Sequence, residues 1–325
     1  MKKLLVLSLV LILGLATIGG CSSKTANVDK KVYKIAIVQP MDHPSLNQIR
    51  ETIIAELKAQ GMGDKVEIIT KNANGDMNLL PSIMQELQNS KVDMIVPSAT
   101  PAAQAAKGST KTTPIVFSAV SNPVEAGLVT SFAETTGNIT GVSNSIPIED
   151  IFKLAATITP NVKTFGFVYN SSEINSTSGI AKARAYCDKN GIKYREAPIT
   201  GTADLQQAAS SLVGQVDAFF TPNDNTVASA MPTYVKVATD AKIPIYAGAD
   251  SMVKDGALAT VGIDYTKLGK QTAAMIIRIV NGQTIKDTHV EQVAEYANMI
   301  NMGTADKLGI TISDELKQKF VILGK

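Results

Sequence analysis

The sequence predicts an α/β protein made of two doubly wound, parallel-sheet lobes that are joined by a hinge. Short apolar runs alternate with segments whose apolar residues recur at helical spacing, which is the pattern of parallel strands joined by crossover helices. This pattern runs through five strands and then restarts near residue 147, so the chain holds two similar units. Of the 325 residues, 45% are hydrophobic and 18% charged, a composition that provides a substantial core for each unit.

The first series contains five predicted strands and three predicted helices. In the first helix Leu46, Ile49 and Ile53 recur at helical spacing, and Gly61 follows the helix as its end signal. The predicted strands are residues 33–39, 66–70, 94–98, 114–120 and 139–145, and the predicted helices are residues 45–60, 78–90 and 101–108.

The second series begins with a helix and is followed by a tail that is expected to cross back between the lobes. The first lobe is therefore assigned residues 32–146 plus about 251–283, and the second lobe residues 147–250 plus about 284–325. The predicted helices are residues 148–158, 174–190, 203–213 and 226–241, and the predicted strands are residues 164–170, 193–199, 218–221 and 243–247. The tail adds a strand at 258–263, a helix at 268–281 and an extended stretch at 290–302.

Residues 1–20 have the features of a secretion signal: two lysines, an apolar run too short to span a bilayer, and small residues at its end. Ile18-Gly19-Gly20-Cys21 resembles the bacterial lipobox, which implies that Cys21 is lipidated and that residues 21–31 form a tether. An ordinary secreted protein with an incidental cysteine is the alternative. Cys187, the other cysteine, lies in a helical pattern and is expected to be a buried structural thiol.

The formal net charge of the chain is +2, and two of its positive charges lie in the predicted signal segment. No basic stripe is present, so a nucleic-acid partner is not expected. Sequence motifs for nucleophilic hydrolysis, dinucleotide or nucleotide binding and zinc proteases are also missing from the chain. The two histidines, His43 and His289, are far apart in the sequence, which argues against a metal cluster or a histidine-based triad. An enzyme is therefore not expected.

The stretch from Ile95 to Gln104 is the clearest candidate for a ligand site in the first lobe. A strand ends here in Ser98, and Thr100 and Pro101 begin an alanine-rich helix. Unpaired N–H groups and the positive end of the helix dipole favour an anion at such a place, and the hydroxyl groups add donors. An amino-acid carboxylate fits this site. A plain N-cap, in which the hydroxyl groups satisfy only their own helix, is the alternative.

Neutral hydrogen-bonding side chains follow most of the other predicted strands. Because ligands of open α/β sheets bind beyond the carboxyl ends of the strands, these side chains are candidate contacts for a small zwitterion, with Asp224 and Asp250 best placed to meet an ammonium group. Local capping or turn roles stay open at each position, and Asp42 and Glu173 can simply be solvated. The candidates are Gln39, Met41, His43, Ser98, Ala99, Thr100, Ser118, Asn144, Asn170, Ser172, Asn175, Ser176, Asn223, Asp224, Asn225 and Asp250.

Several of these stretches, taken together and in order, resemble signature stretches of the ABC-transporter substrate-binding lipoproteins of the tryptophan/tyrosine-binding type. The resemblance covers essentially the whole chain after the predicted signal. The stretches are Gln39-Pro40-Met41-Asp42-His43-Pro44, Ser98-Ala99-Thr100-Pro101-Ala102, Gly141-Val142-Ser143, Asn170-Ser171-Ser172-Glu173-Ile174-Asn175-Ser176, Asn223-Asp224-Asn225-Thr226 and Ala247-Gly248-Ala249-Asp250.

The resemblance implies a type I periplasmic-binding-protein fold whose lobes close on an aromatic amino acid: tyrosine, tryptophan or phenylalanine. It also implies delivery to a membrane permease with a cytoplasmic ATPase, an extracytoplasmic location with lipid on Cys21, no cofactor and a monomeric protein. Ser98 and Thr100 would hold the carboxylate, and Asp224 or Asp250 the ammonium group. The ligand side chain would lie among Gln39, Met41, His43, Phe117 and Asn175. Because the chain has no tryptophan, aromatic or soft contacts must come from Phe, Tyr or Met.

Two other function classes compete with ligand capture for transport. Turnover of a bound amino acid would favour an enzyme despite the missing motifs. A surface adhesin or a sensory receptor component, with or without amino-acid binding, is the second alternative, and the sequence argues neither for nor against it.

Overall fold

The computed structural model describes residues 31–135 and 137–324. The predicted signal segment, Cys21 and the rest of the predicted tether up to residue 30 lie outside these residues. Within them, no helix is long and apolar enough to cross a membrane.

The first sheet has six strands, all parallel, in the spatial order β11-β5-β4-β3-β1-β2. In β1 alternate residues enter two different cores: Ile35 and Ile37 pack with one pair of helices, and Ala36 and Val38 with the other. Both faces are therefore covered, which is a doubly wound arrangement. The strands are β1 (Tyr33–Gln39), β2 (Val66–Asn72), β3 (Met94–Pro97), β4 (Ile115–Val120), β5 (Ile139–Ser143) and β11 (Glu291–Gln292). The helices are α1 (Pro44–Ala59) and α10 (Tyr265–Val280) on one face, and α2 (Leu80–Asn89) and α3 (Thr100–Ser109) on the other.

The second sheet has seven strands in the order β13-β12-β10-β9-β8-β6-β7, and all pairs are parallel except β10 with β12. The strands are β6 (Thr164–Asn170), β7 (Lys193–Ile199), β8 (Ala218–Thr221), β9 (Ile245–Ala247), β10 (Ala259–Ile263), β12 (Tyr296–Asn301) and β13 (Val321–Leu323). The helices of this half are α4 (Ile148–Ile158), α5 (Ile174–Asn190), α6 (Leu205–Leu212), α7 (Asn225–Ser229), α8 (Met231–Asp240), α9 (Asp250–Lys254), α11 (Met302–Leu308) and α12 (Asp314–Lys319).

The tail crosses between the two sheets at different places from those predicted. Residues 250–263 belong to the second sheet, because β10 pairs with β9 on one side and with β12 on the other. The chain then crosses at Asp264, and α10 and β11 join the first sheet. It returns with β12. The assignment of residues 251–263 to the first lobe and of residues 284–292 to the second is therefore wrong.

Cys187 lies in α5 and is a free thiol with no exposed surface, as expected for a structural cysteine. Burial raises its pKa to about 12, so the thiol stays protonated at neutral pH.

Candidate functional site

The carboxyl ends of the two sets of strands face each other across a narrow cavity between the two halves. From the first-sheet half the lining residues are His43, Ser45, Leu46, Thr100, Ala119, Ser121, Asn144 and Tyr265. From the second-sheet half they are Asn175, Asn223, Asp224, Asn225, Ala228 and Met252.

Side chains from the two halves bond directly to each other around the cavity. The amide of Asn223 donates to Oγ of Ser121 and to the backbone oxygen of Asn144, both at 3.0 Å. The hydroxyl groups of Ser45 and Ser251 are 2.5 Å apart. These bonds hold the two halves in a closed arrangement.

Five buried polar atoms at these strand ends have no hydrogen-bond partner within the described residues: Nδ1 of His43, Oγ of Ser98, Oγ1 of Thr100, Oδ1 of Asn175 and Oγ1 of Thr221. Three of them, on His43, Thr100 and Asn175, belong to residues that line the cavity. A buried polar atom without a partner costs roughly 1–3 kcal/mol, so such a cluster indicates groups that a ligand would satisfy.

The first-sheet wall presents hydroxyl groups at the start of a helix. Ser98 follows β3, and Thr100 is the first residue of α3, whose second residue is Pro101. Between them Ala99 has φ 70° and ψ 160°, a conformation used almost only by glycine. Ala119, at the end of the neighbouring strand, also has a positive φ of 59°. Two strained alanines on adjacent strands are typical of a functional site rather than of a plain cap.

The second-sheet wall carries the buried carboxylate of Asp224. Its oxygens accept from the backbone N–H groups of Val227, at 2.8 Å, and of Asn170, at 2.6 Å. Burial and the nearby Glu173 carboxylate raise the pKa of Asp224.

Glu173 is a second buried carboxylate, so the alternative that it is solvated is wrong, whereas the side chain of Asp42 is 61% exposed. Glu173 accepts from the backbone and side chain of Thr226, at 3.1 and 2.8 Å, and from the side-chain amides of Asn175 and Asn225. The described hydrogen-bond partners of Glu173 and Asp224 are all neutral, and neither carboxylate forms an ion pair within the described ranges. This wall therefore carries negative charge that the protein itself leaves unbalanced.

His43 joins the two walls. Its Nε2 lies 3.3 Å from Oδ1 of Asn225, and only 6% of the residue is exposed. Burial lowers the pKa of His43 to about 4, so the ring is neutral at physiological pH.

Of the sequence-predicted site residues, seven line the cavity: His43, Thr100, Asn144, Asn175, Asn223, Asp224 and Asn225. Four others lie just behind the wall and support it. Ser98 and Ala99 form the turn into α3, Ser118 bonds to Thr272 of α10 at 2.9 Å, and Ser176 bonds to the Asp224 carboxylate.

Two residues predicted to surround the ligand side chain are held in other places. Phe117 has no exposed surface and packs against Gly141 in the core beneath α2 and α3. The amide of Gln39 is engaged by Asn47 and Arg50 of α1. Both side chains are thus occupied by their own half of the protein and do not line the cavity.

Three further predicted contacts line a separate, open groove outside the cavity: Met41, Asn170 and Ser172. The side-chain amide of Asn170 donates to Oγ1 of Thr226, and its oxygen accepts from the backbone N–H group of Ser172. Asn170 and Ser172 therefore stabilise the local turn.

Asp250, one of the two acids expected to meet the ammonium group, does not line the cavity either. It lies in the first turn of α9 and forms an ion pair of 2.6 Å with Lys254, one turn later. Its charge is therefore already matched within the helix.

Seven lining residues were not among the candidates: Ser45, Leu46, Ala119, Ser121, Ala228, Met252 and Tyr265. Ala119 and Ser121 belong to a strand-end stretch that the sequence does reveal, but nothing distinguishes them from their neighbours. Tyr265 could not be found, because it reaches the cavity only through the crossing of the tail at Asp264. The described residues contain no group of three or more His, Cys, Asp or Glu that could hold a metal ion.

Comparison with known proteins assigns this architecture to a class. Residues 34–320 match the family model described as ABC transporter substrate binding protein, and the chain belongs to this family. The fold is of the type I periplasmic-binding-protein kind, as predicted. The family consists of solute-binding proteins and not of enzymes, and substrate-binding proteins of ABC transporters work outside the cytoplasm.

Individual relatives are also similar over most of their length. The chain is 38% identical to the tyrosine-binding protein of Clostridioides difficile (strain R20291), over 94% of this chain and 92% of that protein. It is 34% identical to a Streptococcus pneumonia ABC domain solved in complex with L-Trp, with a TM-score of 0.87 and coverage of 90% of this chain and 100% of that one.

A ligand-free, open substrate-binding protein with adhesive properties from Clostridium difficile gives a lower TM-score. It is 36% identical, with 90% of this chain and 100% of that chain covered, but its TM-score is 0.70. At nearly equal identity, the present chain therefore superposes more closely on the L-Trp complex than on the ligand-free, open form.

Proposed function

We propose that this chain captures one aromatic amino acid, which is tyrosine, tryptophan or phenylalanine, in the cavity between its halves and delivers it to an ABC permease for import. The observation that carries the proposal is the set of unpartnered polar atoms on the cavity-lining residues His43, Thr100 and Asn175, which lie in the same cavity as the buried Asp224 carboxylate. Only a ligand with donors, acceptors and a positive charge satisfies all of them. The relatives named for tyrosine and solved with L-Trp support the aromatic class.

The two ends of the amino acid would bind opposite walls. The carboxylate accepts from the hydroxyl groups of Ser98 and Thr100 and from the N-terminus of α3, where the helix dipole is positive. The ammonium group pairs with Asp224. Tyr265 and Met252 supply aromatic and polarisable surface for the ring. Closure is favoured because only the closed form gives the ligand both sets of contacts.

Titration calorimetry of Asp224→Asn with tyrosine and tryptophan tests the ammonium assignment, with Asp250→Asn as the matched control. Removing one partner of a buried charge pair costs about 2 kcal/mol or more, so Asp224→Asn should weaken binding about 30-fold or more. Asp250→Asn should leave binding within about threefold, because its partner is Lys254.

Equal losses in both variants, or a loss in Asp250→Asn alone, would show that the ammonium group lies elsewhere. Asp224 also caps α7, so a thermal melt of each variant separates a folding defect from lost binding. The double variant Ser98→Ala, Thr100→Val probes the carboxylate end without touching that cap and should also lose binding.

We further propose that the protein is a lipoprotein anchored to the bacterial cell membrane through Cys21, with residues 1–20 removed as a signal. The lipobox-like sequence supports this proposal. Cys21→Ala should abolish incorporation of labelled palmitate and release the protein from the membrane fraction. Retention of both lipid label and membrane binding in the variant would refute it. A monomer is expected, since capture needs only the two halves of one chain, and light scattering of the purified protein tests this.

An adhesive role is a second candidate, favoured by the similarity to the Clostridium difficile substrate-binding protein that has adhesive properties. The ligand-binding variants separate the two roles. If the protein is an adhesin independently of transport, Asp224→Asn should bind host cells as well as the wild type does while losing the amino acid.

A further inference from the structure

The amide of Asn225 has only one orientation that satisfies its surroundings. One end of the amide contacts Oε2 of Glu173 and the other contacts the ring of His43. A carboxylate can only accept hydrogen bonds, so the NH₂ group must face Glu173. Oδ1 of Asn225 therefore faces His43 and can only accept.

This orientation fixes the tautomer of His43. Because Nε2 of His43 meets an acceptor at 3.3 Å, Nε2 must carry the hydrogen. In a neutral ring Nδ1 is then a bare acceptor. Nδ1 is buried and has no hydrogen-bond partner within residues 31–135 and 137–324, and His43 lines the cavity.

The second unpartnered acceptor, Oδ1 of Asn175, belongs to a residue that lines the same cavity as Asp224. The Asn175 amide donates to Glu173 and to the backbone oxygen of Asn223, at 3.0 and 3.3 Å, and Ser176 bonds to Asp224. An ammonium group on Asp224 has three hydrogens and can satisfy Asn175 as well. The ammonium and carboxylate groups of the ligand then leave one buried acceptor without a partner, which is Nδ1 of His43 on the opposite half.

We propose that Nδ1 of His43 accepts a hydrogen bond from the ligand side chain, and that the cavity thereby selects tyrosine or tryptophan over phenylalanine. This inference rests on the proposed function. The phenol O–H and the indole N–H are both donors, whereas phenylalanine would leave Nδ1 buried and unpaired. Sites built to bond a substrate hydroxyl or N–H group strongly reject the analogue that lacks it.

Calorimetry of the wild type with tyrosine, tryptophan, phenylalanine and 4-fluoro-L-phenylalanine tests the selection without any substitution. The fluorine is close to a hydroxyl group in size but cannot donate. The better of tyrosine and tryptophan should bind about 30-fold or more tightly than phenylalanine, and the fluoro compound should bind as weakly as phenylalanine. Phenylalanine or the fluoro compound binding within about threefold of the best ligand would overturn the inference. If none of the four binds, the proposed function itself fails.

His43→Phe identifies the residue responsible, with His289→Phe as the matched control on an exposed histidine. Loss of the bond to Asn225 should weaken the binding of all ligands alike. Loss of Nδ1 should weaken only the binding of tyrosine and tryptophan, whose side chains donate a hydrogen bond. The ratio of donor-ligand affinity to phenylalanine affinity should therefore fall to about 3 or less in His43→Phe and stay unchanged in His289→Phe. An unchanged ratio in a folded His43→Phe protein would overturn the assignment, and ¹⁵N NMR of the wild type must show the Nε2–H tautomer.

Discussion

Asp224 is the residue whose protonation should control ligand affinity. Burial and the Glu173 carboxylate, which lies on the same half, raise its pKa, and hydrogen bonds from Asn170, Val227 and Ser176 offset part of this rise. An ammonium group beside Asp224 favours the ionised form and lowers the pKa again. Binding must therefore release a proton wherever the free protein carries one on Asp224.

Affinity for tyrosine should consequently fall as the pH is lowered from about 7 to about 5, by at most about tenfold per pH unit for one proton. In the closed form burial lowers the pKa of His43 to about 4, so its ring stays neutral in this pH range. Calorimetry in two buffers of different ionisation enthalpy measures the released proton. A flat affinity with no proton release between these pH values would contradict the role of Asp224.

Ala99 stores backbone strain at the carboxylate end of the site. Ala99 has φ 70° and ψ 160°, so Ala99→Gly should remove backbone strain of about 1–3 kcal/mol. Glycine has more conformational freedom in the unfolded chain, which should cost about 0.5–1 kcal/mol of stability. The free energy of unfolding should rise by about 1 kcal/mol. Ala103→Gly, four residues later inside α3, should lower it by about 1 kcal/mol. Urea unfolding checks the opposite signs, and destabilisation by both variants would show that Ala99 is not strained.

How far single residues could be predicted depends on whether their role is local. Ser98, Thr100 and Asp224 follow strands directly, and the rule that ligands bind at carboxyl strand ends finds them. From the sequence alone Glu173 can be a solvated acid, because its burial depends on Asn225 and Thr226, some fifty residues later. Asp250 is a false candidate because sequence shows an acid at a strand end but not that Lys254 neutralises it.

The turn between β8 and α7 is one of the elements that bond the closed halves to each other. Its Asn223 reaches across to Ser121 and to the backbone of Asn144. Asn223→Ala should remove two hydrogen bonds, each worth about 0.5–1.5 kcal/mol, that form only on closure. Dissociation of tyrosine and of tryptophan should therefore speed up by a common factor of about ten or more.

Stopped-flow release of the bound ligand measures this effect, and Asn190→Ala is the control, because Asn190 lies exposed at the end of α5. Because the dissociation rates of both ligands should rise by the same factor, this effect can be distinguished from the ligand-selective role proposed for His43. An unchanged dissociation rate in Asn223→Ala would show that the bond does not stabilise the closed form.

Elements with a strong periodic pattern could be predicted nearly to the residue. The predicted helix at 148–158 and the predicted strand at 164–170 have the bounds observed for α4 and β6. The predicted helix at 226–241 is instead two helices, α7 and α8, divided at Ala230. Pro232 explains the break, because it lacks the N–H group that a continuous helix would use there.

For the whole molecule, the sequence predicts two doubly wound lobes because repeated strand–helix alternation is a property of local patterns. The crossings of the tail depend on which sheet edge a strand pairs with, and this is decided by distant residues. Residues 259–263 form an apolar strand that would suit either sheet, and pairing with β9 and β12 places it in the second. Tyr265, which lines the cavity, enters the site only because of that choice.

The central claim is that two halves close over one amino acid whose opposite charges are matched by opposite walls. A crystal structure of the protein grown with L-tyrosine tests this claim most directly. The account predicts a single ligand in the cavity, with its carboxylate within hydrogen-bond distance of Ser98 or Thr100 and its ammonium group on Asp224. A ligand bound in the reverse orientation, or outside the cavity with the halves closed and the cavity empty, would contradict it.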